Sequence, residues 1–153
     1  MRRSRHRSTS QTNTRLPTAE EINVFDSLDE RSAVKHFLGK DLEQAQALFR
    51  VDLLWFWEDL MWMGPIAFRF YVAAAIKYLL SEDAVNDAYA ASSFCSLIEF
   101  RLDHQPAEVV PIGPVIREGI IGILKDFDRY GPDTAMFGDV AGRYRALLSR
   151  LDA

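Results

Sequence analysis

Along most of the chain, apolar residues recur at three- and four-residue spacing, the period of a helix with one buried face. Ser27 and Glu30 form a capping-box pair, in which hydroxyl and carboxylate satisfy each other's backbone donors. The helix they open is predicted over 28–38, with Val34, Phe37 and Leu38 on its apolar side and Gly39 as a left-handed stop. Asp41 and Gln44 repeat the capping pattern before a second helix that starts at Leu42 and buries Ala45, Leu48 and Phe49. Residues 51–63 are apolar on every side except Asp52, Glu58 and Asp59. Their pattern fits both a continued helix and an extended segment. Gly64-Pro65 ends it in either case, because proline disfavours helix at the residue before it and suits the first turn of a new one.

The next stretch, 65–81, is apolar nearly all round, which predicts the central helix of the domain. Its one polar stripe is Arg69, Ala73 and Lys77. A helix over 86–103, capped by Asn86 or Asp87, buries Ala91, Phe94, Cys95, Ile98 and Leu102. A loop with Pro106, Pro111 and Pro114 leads to a helix over 113–129, on which Gly119 and Gly122 offer places for another helix to approach closely. Gly131-Pro132 reads as a turn, and Val140, Tyr144, Leu147, Leu148 and Leu151 mark a last helix over 138–151. Residues 17–26 read as a polar lead-in that docks Ile22, Val24 and Phe25 on the body. There is no alternating strand pattern and no internal repeat. The expectation is a single all-α domain over 17–153, built from five to six helices.

Composition changes this picture at the N-terminus. The 153 residues carry a net charge of −4, yet residues 1–16 hold Arg2, Arg3, Arg5, Arg7 and Arg15 and no acid. That leaves 13 basic and 22 acidic side chains in 17–153, a net of −9. The head has too few apolar residues to repay its ordering entropy, so a disordered basic tail over 1–16 is expected. The acidic body argues against nucleic acid as a partner except through that tail. No apolar run reaches the ~18 residues of a membrane span, and no signal-type h-region is present. With a single cysteine, Cys95, a disulfide framework is excluded, and the expected location is the cytoplasm.

Candidate chemistry concentrates in 55–63. All three tryptophans, Trp55, Trp57 and Trp62, lie within eight positions, together with Phe56, Met61 and Met63. Such a cluster either packs into the core or forms a ligand or partner surface, since large amphipathic and flexible side chains fill pockets well. Glu58 and Asp59 sit inside it. Neighbours on a helix point about 100° apart, so the two are not a catalytic pair by themselves. One of them is expected to meet Arg69. His36 and His104 stand outside any His-x-x-x-His or Glu-x-x-His spacing, so no metal and no cofactor is assigned. Cys95, on an apolar face, reads as an inert buried thiol. There is no phosphate-cradling glycine loop and no nucleophile elbow, and no catalytic residue is assigned.

The run Met63–Ala74 contains Pro65, Ala67, Phe68, Arg69, Tyr71 and Ala74, with Ala73 where proline is usual. In this it resembles a Pro-x-Ala-Phe-Arg-Tyr-Tyr-Leu-Pro-Ala-like motif of small, mostly helical bacterial proteins of unknown function. The resemblance implies a helical bacterial cytoplasmic protein and carries no activity with it. The functional expectation is a non-enzymatic protein-interaction module for a basic partner, with Trp55, Trp57, Glu58, Asp59, Trp62 and Arg69 as binding residues. The alternative is a small-ligand binder or enzyme with a pocket around Glu58, Asp59 and Arg69.

Overall fold

Side-chain caps and first-turn prolines mark where this chain becomes helical. The computed structural model describes residues 15–51 and 53–152; the basic segment 1–14 lies outside the described residues. Thr18 accepts from the Glu21 N–H and the Glu21 carboxylate accepts from the Thr18 N–H, opening the single-turn helix α1 (Ala19–Ile22). Arg15, which composition groups with the tail, bridges the same Glu21 at 3.0 Å. Ser27 and Glu30 form the expected capping box at the start of α2 (Leu28–Phe37). The chain then turns at Gly39, whose φ of +81° is strained for residues with a Cβ. Asp41 and Gln44 exchange hydrogen bonds of 2.8 and 2.9 Å ahead of α3 (Leu42–Val51).

The ambiguous apolar run resolves as helix α4 (Leu53–Trp62), and Pro65 occupies the first turn of α5 (Pro65–Leu79). Asp87 caps α6 (Ala88–His104) through the Ala90 N–H. The proline-rich stretch is helical rather than a loop. Pro106 opens the single turn α7 (Pro106–Val109), a 3-10 turn spans Val110–Ile112, and Pro114 lies in the first turn of α8 (Gly113–Lys125). Proline suits these places because the first N–H groups of a helix have no intrahelical partner to lose. The single turn α9 (Thr134–Phe137) and helix α10 (Val140–Asp152) complete the order. The helices therefore exceed five to six, since short turns fill connections that the hydrophobic period leaves blank.

Helix α5 is the hub. It packs on α1, α3, α4 and α8, while α6 packs on α4 and α10. Its sides bury Phe68, Tyr71, Val72, Ala75 and Leu79, which accounts for a sequence apolar all round. Gly119 is where α8 comes closest: a Cβ there would lie 2.9 Å from the Ile76 side chain. The hydroxyl of Tyr130 donates to the Leu79 carbonyl at 2.7 Å and Arg129 donates to that of Ser81 at 3.0 Å, which satisfies the C-terminal end of the hub helix. Among the described residues no helix is long and apolar enough to cross a membrane.

Cys95 is fully buried on α6, and burial pushes its thiol up to about 12. It is therefore expected to react with a thiol reagent at neutral pH only after denaturant is added. Rapid stoichiometric labelling of the folded protein would contradict this placement.

Candidate functional site

Helices α2 and α4 run antiparallel. Ser27 and Glu30, near the start of α2, lie beside Trp62 and Met63 at the end of α4, whereas His36 meets Phe56 and Asp59. This pairing sorts the aromatic cluster. Trp57 faces inward at 3% exposure, tilted against Phe49 with centroids 4.7 Å apart and edge-on to Phe94 at 6.1 Å. It belongs to the core and cannot serve as a contact residue. Trp55 and Trp62 remain 61% and 42% exposed. Seven residues separate them, so they lie two turns apart on one face of α4, with exposed Glu58 between them.

The two acids part company. Glu58 is in solvent, while Asp59 is buried at 3% exposure. Asp59 accepts from the Ser32 hydroxyl at 2.7 Å and lies 2.6 Å from His36 Nδ1. Burial raises its carboxyl above the usual carboxylate range, and the hydrogen bonds from Ser32 and His36 pull the other way. The expected partnership with Arg69 is not made. Arg69 instead donates to the main-chain carbonyl of Glu108 at 3.0 Å. Asp59 is held by α2, Glu58 lies in solvent and Arg69 is held at Glu108, so the three side chains do not converge. The reason is geometric: one residue's shift along α4 turns a side chain by about 100°, which sends Asp59 toward α2 and Glu58 to water. The Ser32 hydroxyl hydrogen-bonds the carboxylate and makes no bond to the imidazole, so the trio lacks the base-to-nucleophile contact of an acyl-transfer site.

Sequence reasoning missed two groups that shape this face. The first is the exposed apolar pair Phe25 (80%), in the turn before α2, and Leu28 (78%), at its start, which share depressions with Trp62 and Trp55 respectively. Phe25 does not dock on the body as expected, because its N–H and that of Val24 are tied to the buried Glu30 carboxylate, fixing the turn. Of the three lead-in residues expected to dock, Ile22 is buried fully and Val24 is 47% exposed. The second group lies beneath Trp62. Arg101, 1% exposed, stacks on Phe68 at 4.2 Å and donates to the carbonyls of Leu60 and Met63 and to Gln105 Oε1. Its position was marked in the sequence: Phe94, Ile98 and Arg101 share the i, i+4, i+7 stripe of the buried face.

Two depressions flank the exposed tryptophans. A shallow one of about 450 Å³ is lined by Leu28, Arg31, Ser32, Lys35, His36 and Trp55. A second, of about 370 Å³, lies between Phe25, Trp62, Met63, Pro65, Gln105 and Glu108. No family model, no curated protein and no solved structure matches this chain.

Proposed function

We propose that the protein is a non-enzymatic interaction module of the bacterial cytoplasm that docks a basic protein partner on the outer face of α2 and α4. The observation that carries this reading is the exposure of Trp55 and Trp62 on one side of α4, extended by Phe25 and Leu28. Large exposed aromatic residues gathered on one face mark a surface that gains by being covered, and tryptophan is the side chain most often found to dominate such contacts. The charge of −9 over 17–153 supplies long-range attraction for a basic partner. The cytoplasmic and bacterial setting rests on the Pro65–Ala74 resemblance and on the lone cysteine.

Affinity capture from the source cell with tagged wild type, Trp55→Ala and Trp62→Ala tests the docking face. Both variants are expected to keep the helical circular dichroism spectrum and to lose the captured partner. Truncating an interface hot spot costs about 2 kcal/mol or more, roughly a thirtyfold loss of affinity. Unchanged capture by both folded variants would sink the assignment.

A further inference from the structure

We infer that the cavity beside Trp62 is a socket for an arginine side chain carried by the basic partner; the inference rests on the docking-face reading above and names what enters it. The cavity's chemistry singles out a cation. Two carboxylates line it, Glu30 and Glu108, and no lysine or arginine does. Glu30 is already spent, since it accepts from the backbone N–H groups of Val24, Phe25 and Ser27 and from the Ser27 hydroxyl. Glu108 keeps one oxygen free. Among the described residues neither of its carboxylate oxygens accepts a hydrogen bond, and Oε2 is the accessible acceptor, since Oε1 is buried. Arg101 approaches that oxygen only to 3.9 Å, near enough to hold the charge but too far for a hydrogen bond.

The backbone under Glu108 is meanwhile pinned at both polar atoms. Its carbonyl accepts from Arg69 at 3.0 Å and its N–H donates to the Gln105 carbonyl at 3.0 Å. Oε2, on a fixed backbone at the wall of an open cavity, is the oxygen left for a charged donor. Beside Ser27 and Gln105 the remaining wall is apolar: Val24, Phe25, Met63 and Pro65 suit an aliphatic stem, and the half-exposed Trp62 indole is an aromatic neighbour for a cation. A guanidinium meets both demands at once, because its plane stacks on an aromatic ring while its N–H fork meets a carboxylate. The cavity volume of about 370 Å³ accommodates such a side chain with neighbouring partner atoms.

The test titrates N-acetyl-arginine methylamide into the full chain and follows the three tryptophan indole N–H resonances by NMR. N-acetyl-citrulline methylamide serves as the neutral isostere. Saturable movement of the Trp62 indole with the arginine compound is expected, with Trp55 and Trp57 still. Citrulline is expected to bind at least about tenfold more weakly, and Glu108→Gln to weaken arginine binding by a similar factor, the scale of a charge-assisted hydrogen bond. Glu118→Gln, which removes an exposed charge on α8 away from the cavity, is expected to leave binding intact. A Trp62 indole that never moves, equal response to citrulline, or an indifferent Glu108→Gln would each overturn the socket. If the socket fails while Trp55→Ala and Trp62→Ala still abolish capture, the docking face stands without it. If the arginine compound binds through Glu108 while both tryptophan variants capture normally, the socket stands and the docking face falls.

Discussion

Replacing Arg101 with alanine is expected to cost about 3–5 kcal/mol of unfolding free energy, a large share of the roughly 5–15 kcal/mol that holds a domain folded. Three losses combine. The guanidinium, 1% exposed, is the donor for the carbonyls of Leu60 and Met63, which close α4 and lead into α5. Those acceptors would be left buried and unpaired. Gln105 Oε1, held at 2.7 Å, would lose its partner at the C-terminal end of α6. The stacked contact on Phe68 at 4.2 Å would become a cavity against the hub helix. Burial lowers the Arg101 guanidinium to about 10, still above neutral pH, so the side chain stays charged and Glu108 at 3.9 Å partly balances it. Lysine at this position keeps the charge but loses the fork and the stacking plane, so Arg101→Lys is expected to recover only part of the loss. Urea unfolding followed by circular dichroism measures both variants. A loss under about 1 kcal/mol for Arg101→Ala would show that these contacts do not hold α4, α5 and α6 together.

The three tryptophans, adjacent in sequence, are expected to divide sharply on substitution. Trp57→Ala removes the ring that fills the space between Phe49 and Phe94, and a cost of about 3–5 kcal/mol is expected. Trp55→Ala, at a site 61% exposed, is expected to change stability by no more than about 0.5 kcal/mol. The Trp57 indole N–H is buried with no partner among the described residues. Trp57→Phe gives up volume but also removes that unpaired donor, so it is expected to lie within about 1.5 kcal/mol of wild type. Urea unfolding midpoints of the three variants check the division. Equal losses for Trp55→Ala and Trp57→Ala would contradict the inward and outward sorting on α4. The same division makes Trp57 unsuitable for testing partner capture, because its loss unfolds the surface it was expected to form.

Local signals were legible wherever one residue answers another within a turn. The Ser27–Glu30 and Asp41–Gln44 caps, the left-handed Gly39, the Asp87 cap and the Gly64-Pro65 boundary all follow from short-range backbone demands. An apolar pattern on all sides marked 65–81 as the hub for the same kind of reason: nothing on it prefers water. The short turns α1, α7 and α9 were not legible, because four residues are too few to show a helical period.

The all-α class, the main caps and the central helix follow from residue order alone, since these depend on spacing within a single element. Which side of α4 meets water is instead set by contacts across the fold. That choice depends on α2 supplying Ser32 and His36 to Asp59, on α3 and α6 supplying Phe49 and Phe94 to Trp57, and on α7 drawing Arg69 away to Glu108. Each of these partners lies more than seven residues away along the chain. The free energy of a buried carboxylate or indole depends on what surrounds it in space, and no periodicity within α4 records that.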